Sequence, residues 1–298
     1  MATLADFLNV VFPRRTAFLK DEWIQGQPVR HVFMLATCWA LARSIQPQRP
    51  LKILEVGVWM GASCLTWAEG LDHFNKGHGG TVTGIDPLTP YFDAAEFSRH
   101  LSSGAGDLVT RSQQDLLVEM DGLLRGDFVY DLLMHNMRTI PAGIAFEMIR
   151  EPSGDALPTL ADRRFDLVYI DGSHSSGPVK KDLEWAARLV EPGGIVCGDD
   201  LELQLDEVDP DFARAHAEID FPTDPKTGSQ FHPGVTLAVA ERFGRVANFH
   251  GFWGVRKVAE DAFEPLSLAN APLAIPNHLP ESVKAMAFEM LRRAGLVP

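Results

Sequence analysis

The chain has 298 residues, and its 46% hydrophobic content is enough for a substantial core and too much for a disordered polymer. A formal charge of −13 argues against nucleic acid as a partner, because phosphates would be repelled. Cys38, Cys64 and Cys197 show no paired metal spacing and no disulfide framework, which points to a reducing, cytoplasmic setting.

The N-terminus lacks a secretory pattern: Asp6 comes early, and Arg14–Arg15 follow the apolar residues instead of preceding them. The longest apolar run, around 32–42, is shorter than the ~18 residues a membrane span needs, so a soluble protein without membrane contact is expected. Residues 1–50 read as a helical extension. Within it, His31–Ser44 is apolar nearly all round, as in a helix buried against the rest of the chain or a second copy, and Pro47 and Pro50 end it. Homo-oligomer contacts through these helices would suit that apolar content.

Strand one spans about Leu51–Val56, with a helix at about 62–71. A glycine-rich turn at 75–80 leads to strand two, Thr81–Ile85, which ends at Asp86. The stretch 87–141 is too long for an ordinary connection and holds helical pieces at 94–101, 111–124 and 128–137. It reads as an inserted lid over the strand ends, or as a packing embellishment away from them. Strand three, Ile144–Ile149, precedes a short helix from Ser153 to Leu160, and strand four is Phe165–Ile170. A helix at 179–189 closes at Pro192-Gly-Gly, and strand five is Ile195–Gly198. A loop rich in Asp and Pro fills 201–232, and a helix at 235–243 leads to a hairpin, 246–250 and 252–258, turning at His250–Gly251. A tail from 259 carries an amphipathic helix at 281–294. Strands alternating with helices and a terminal hairpin predict an α/β fold, mostly parallel with one antiparallel member.

The chemistry gathers at the strand ends. Leu51–Ser63, LKILEVGVWMGAS, is a strand that runs through a glycine-punctuated turn into a helix. A dinucleotide fingerprint has a glycine where this chain has Trp59, and only Gly57 and Gly61 remain. Glu55 stands where a positively charged group could be received, so a ligand with an ammonium and no pyrophosphate fits better; S-adenosylmethionine (SAM) is such a ligand. Trp59 could cover that ligand or pack under the insert. Asp86 can accept both hydroxyls of a ribose or cap the segment that follows it. Ser153 could meet a purine edge or serve as a helix cap.

Asp171, Asp199 and Asp200 end consecutive parallel strands, about 4.8 Å apart, and can converge on one point. Unneutralised, three converging carboxylates would repel one another; Mg²⁺, with its preference for oxygen ligands, would resolve this. The alternative is local capping and an Asx-turn at Asp171. His174 lies three residues beyond Asp171 and can act as general base or hydrogen-bond the turn. His216, His232 and His250 show no metal spacing and read as surface or capping residues.

Glu55-Val-Gly57-x-x-x-Gly61, Asp86, Tyr169-Ile-Asp171-Gly-Ser-His174, Pro192-Gly-Gly and Gly198-Asp199-Asp200 together resemble the class I SAM-dependent methyltransferases. The acidic trio is similar to that of the branch containing catechol, caffeoyl-CoA and macrocin-type O-methyltransferases. The resemblance implies a Rossmann-like, seven-stranded sheet with helices on both faces, formed by a domain at 51–258 with a tail at 259–298. It implies SAM held by Glu55, Gly57, Trp59, Gly61, Asp86, Ser153 and Asp171, and Mg²⁺ held by Asp171, Asp199 and Asp200. Catechol-type enzymes have a lysine where this chain has His174, so the base differs. The expected activity is Mg²⁺-dependent O-methylation of a small hydroxylated metabolite, with Asp171 and His174 catalytic. A metal-independent O- or N-methyltransferase is the main alternative, ahead of a nucleotide-dependent oxidoreductase or a non-catalytic SAM-binding protein.

Overall fold

A computed structural model describes residues 3–298 apart from 19, 22–23, 25, 46–47 and 91–110. The helix expected at 94–101 lies outside the described residues.

Five parallel strands form the body of the sheet: β1 (Leu51–Val56), β2 (Gly80–Ile85), β3 (Ile144–Ile149), β4 (Phe165–Ile170) and β5 (Val190–Leu201). The hairpin strands β6 (Ala247–Phe249) and β7 (Gly251–Ala259) complete the order β3-β2-β1-β4-β5-β7-β6. β7 is antiparallel to β5 and to β6, and so alone opposes the parallel set. His250 and Gly251, which close the hairpin, have φ of 59° and 96°, as a two-residue primed turn requires. An eighth strand, β8 (Ala262–Pro265), pairs with β7 and extends the expected seven. Its short polar sequence, AFEP, gives little strand signal, and its proline is tolerated because the strand lies at an edge.

β5 is longer than Ile195–Gly198. Phe165 pairs with Val190 and Leu167 with Ile195, so the Pro192-Gly-Gly segment bulges inside the strand instead of ending the helix before it. Further along, the register aligns the strand ends: Val56 lies opposite Ile85 and Ile170, and Ile170 lies opposite Gly198. The next residues, Gly57, Asp86, Asp171 and Asp199, therefore emerge along one edge. The break between leftward and rightward winding falls between β1 and β4, where open α/β sheets bind ligands.

Alternation along the strands supplies two cores. Leu51, Ile53, Leu167 and Tyr169 pack with α2 (Arg30–Ser44) and α3 (Ala62–Phe74) on one face. Leu54, Val56, Val168 and Ile170 pack on the other face with α6 (Ser153–Thr159), α7 (Ser176–Leu189) and α9 (Pro233–Phe243). α2 is buried on nearly every side, as its apolar sequence predicts. The N-terminal α1 (Leu4–Val11) touches α5 (Phe128–Met137), the second insert helix after α4 (Arg111–Leu124). Within α5, Asn136 donates its amide to the Met60 carbonyl at 2.9 Å, and Leu133 and Met137 close on Gly61. This part of the insert braces the glycine turn.

The 201–232 segment is more ordered than a loop. It contains α8 (Pro210–Ala215), capped by the Asp209 carboxylate, and a bridge between Thr223 and Gln230. The tail helix α10 (Glu281–Arg293) follows His278, which bonds Glu69 and the Ala62 carbonyl of α3. Among the described residues no helix is long and apolar enough to cross a membrane.

Candidate active site

The glycine turn crosses directly over the end of β4. Gly57 has φ of +86°, and a β-carbon there would lie 1.9 Å from the Asp171 carbonyl oxygen, so only glycine fits. Asp86 holds the same turn from the β2 side. Its Oδ2 accepts the backbone N–H groups of Val58 and Trp59 at 2.9 and 3.0 Å, and its Oδ1 accepts that of Leu88 at 2.8 Å. Asp86 thus holds the turn and the segment after it, and its side chain is only partly buried. Trp59, at φ of 49°, packs against the main core.

Glu55 and Ser153 face inward. Glu55 is fully buried; one oxygen accepts the Ser63 hydroxyl and the other the Cys64 thiol at 3.0 Å. It lies on the β1 face that packs under α3, and burial pushes its carboxyl up to about 8 despite those bonds. Ser153 opens α6 and bonds Asp182 of α7, a carboxyl that burial raises to about 6.

The acidic trio is divided between two clusters. Asp171 and Asp199 share Arg30, whose Nη1 lies 3.0 Å from Asp171 and also bonds Asp199; Arg30 and Asp199 are almost fully enclosed. The Tyr169 hydroxyl donates to Asp171 at 3.0 Å. Burial raises Asp171 to about 6 and Asp199 to about 7, with Arg30 opposing the shift in each. Asp200 has a φ of 63°, at a point where the β5–β7 register shifts, and its carboxylate bonds His174. Of the three carboxylates expected on one cation, Asp171 and Asp199 share the Arg30 guanidinium, while Asp200 meets His174 and His232.

That other group alternates carboxylates and imidazoles. His174 meets Asp200 Oδ2 through Nε2 at 3.0 Å and Asp220 Oδ1 through Nδ1 at 2.7 Å. His232 meets the same Asp220 oxygen through Nε2 at 3.3 Å, and both Glu202 oxygens through Nδ1 at 3.1 Å. The two rings lie 4.3 Å apart between centroids, and Phe221 covers His232 at 4.7 Å. Burial works against charge on both rings, but the surrounding carboxylates prevail and raise both, His232 to about 10. The His174 and Asp220 side chains remain 35% exposed, so solvent screens part of their attraction.

Arg30, Glu202, Asp220 and His232 carry no local signal of a site. His232 is 7% exposed and central, unlike the surface role its sequence suggests, whereas His216 bonds its own helix and His250 turns the hairpin.

A doubly wound sheet with a glycine turn after β1 and an acidic residue ending β2 is the arrangement of a class I SAM-dependent methyltransferase. The family model of a methyltransferase domain matches residues 54–201. No curated protein matches the chain. Among solved structures it is similar to the O-methyltransferase NovP (14% identity over 78% of this chain and 80% of that one, TM-score 0.48). It is also similar to CalS11, a TDP-rhamnose 3'-O-methyltransferase of calicheamicin biosynthesis (17%, 85% and 91%, TM-score 0.40). A third is MycE, the methyltransferase of the mycinamycin pathway in complex with Mg, SAH and mycinamycin VI (16%, 71% and 46%, TM-score 0.37). At these identities the likeness concerns the fold alone.

Proposed function

We propose that this enzyme transfers the methyl group of SAM to a hydroxyl oxygen of a small molecule bound over β4 and β5. The observation that supports this reading is the close approach of Gly57 to the Asp171 carbonyl, which sets the glycine turn beside the strand end that leads on to His174. SAM supplies an activated methyl on a sulfonium. Residues 51–258 form the catalytic unit in this reading, with the flanking segments packed onto it.

The chain's own residues then have distinct tasks. Asp86 fixes the turn and offers its remaining lone pairs to the ribose hydroxyls; Gly57 and Gly61 let the backbone lie flat beneath the donor. Glu55 shapes the turn from below through Ser63 and Cys64. Arg30 neutralises Asp171 and Asp199, so the crevice floor does not repel an oxygen nucleophile. Once its Nε2 proton has passed to solvent, the neutral His174 takes the substrate proton at Nε2 as the methyl leaves sulfur for oxygen, while Asp220 orients the ring through Nδ1. The resting ring shares its Nε2 proton with Asp200, and its partial exposure gives that proton a way to solvent. No step is assigned to a Mg²⁺ at the divided trio.

The test is transfer of labelled methyl from SAM to panels of hydroxylated, amino and thiol acceptors, with SAH affinity measured in parallel. Labelling confined to hydroxyls, reduced about 10²–10⁴-fold in kcat by His174→Ala with SAH affinity unchanged, is expected. Labelling of amines instead, or full kcat in His174→Ala, would overturn oxygen transfer by this base.

A further inference from the structure

We infer that Asp200, Glu202 and His232 form a divalent-cation site of mixed nitrogen and oxygen ligands, separate from the Asp171–Arg30–Asp199 cluster. One atom from each of the three residues lies within 4.8 Å of the others, a spread that a single ion can close. Glu202 approaches His232 Nδ1 at 3.1 Å and Asp200 approaches it at 3.8 Å. Adjacent ligands of an ion bound at about 2.1 Å stand roughly 3 Å apart, so only Asp200 needs to move.

The surroundings are those of a supported ligand set. A metal-binding imidazole usually gives its other N–H to a carboxylate, and ligating carboxylates are themselves hydrogen-bonded. His232 Nε2 faces Asp220 Oδ1 at 3.3 Å, and the His232 backbone N–H donates to Glu202 Oε2 at 3.2 Å. The ring is held by Phe221 and by its place at the start of α9, next to Pro233. Asp200, at φ of 63°, a conformation that aspartate tolerates, presents Oδ1 to the ring. A second grouping, His174, Asp220 and His232, also lies within 4.8 Å. It would use the other His232 nitrogen, and its two rings already converge on one Asp220 oxygen, which suits Asp220 as their common support.

An imidazole among carboxylates selects first-row transition ions over Mg²⁺, which prefers oxygen alone. The site therefore takes Mn²⁺ or Co²⁺ in preference to Mg²⁺. Asp200 would then reach the ion with one oxygen and His174 with the other, which places the ion beside the acceptor pocket. The inference rests on the methyltransferase reading only for that placement.

The experiment titrates Mn²⁺, followed by electron paramagnetic resonance, and Co²⁺, followed by its visible absorption, into the metal-stripped full chain. SAH affinity measured on every sample reports the fold and the cofactor reading separately. One equivalent of ion is expected, with nitrogen coordination in the spectrum and Mg²⁺ a weaker competitor. His232→Ala and Glu202→Gln should each weaken Mn²⁺ binding at least about tenfold, and Asp171→Asn should leave it unchanged. Glu202→Gln is nearly isosteric and decides the matter if His232→Ala does not fold. Loss of the ion in Asp171→Asn but not in Glu202→Gln would return the site to the strand-end trio and overturn the proposal. Absence of one-equivalent binding, with SAH still bound, would overturn it too.

Discussion

Replacing Glu55 by Gln should stabilise the protein at neutral and alkaline pH while leaving it unchanged in acid. Glu55 is fully enclosed, and burial raises its carboxyl from the ordinary 4.5 to about 8. Below about pH 4.5 the group is protonated in both folded and unfolded chains and its linkage costs nothing. As pH rises, the unfolded chain releases the proton while the folded chain keeps it, so wild-type stability falls until the folded group ionises near pH 8. One pH unit corresponds to about 1.4 kcal/mol, so the 2.5 units between 4.5 and 7 amount to roughly 3 kcal/mol. The glutamine carbonyl can still accept the Ser63 hydroxyl, and its amide faces the weakly accepting Cys64 sulfur, which limits any cost common to all pH values. The assay is denaturant unfolding of both proteins at several pH values from about 4.5 to 8. The difference between them isolates Glu55, because every other titrating group is shared. A difference that stays flat with pH, or a wild type that gains on the variant as pH rises, would refute a neutral buried Glu55.

Two other substitutions probe the same edge of the sheet. Gly57→Ala combines a positive φ with a β-carbon 1.9 Å from the Asp171 carbonyl, so SAH affinity should fall at least about tenfold by calorimetry. Gly77→Ala has a similar φ and open space around it, and should leave that affinity intact; equal loss in both would show that the close approach is irrelevant. Arg30→Gln strips the cation from two buried carboxylates and should cost about 3–5 kcal/mol in denaturant unfolding, less whatever Asp199 and Asp171 recover by taking up protons. An unchanged unfolding midpoint would show that the two carboxyls are already neutral without it.

The parts of this protein written locally in its sequence were legible there. β1, β3 and β4 and the helices at 111–124 and 128–137 follow from apolar runs and periodicity, and the hairpin from its turn. Gly57 and Asp86 announce themselves because strand-end chemistry depends on a few adjacent residues. The Pro192-Gly-Gly bulge and the short β8 were not legible, since both depend on pairing with a neighbouring strand.

The site's electrostatics depended on contacts no local pattern encodes. Asp199 and Asp200 are neighbours in sequence, yet Asp199 bonds Arg30 while Asp200 bonds His174. Arg30 reaches Asp171 and Asp199 from a helix far upstream, and His232 and Asp220 meet His174 from a segment that reads as a loop. Sequence alone determined a mostly parallel sheet with a glycine turn at its carboxyl ends, because that depends on backbone periodicity and glycine geometry. Only the tertiary structure decided which charge neutralises which carboxylate, because Coulomb interactions follow distance in space and burial, and neither is written in the order of residues.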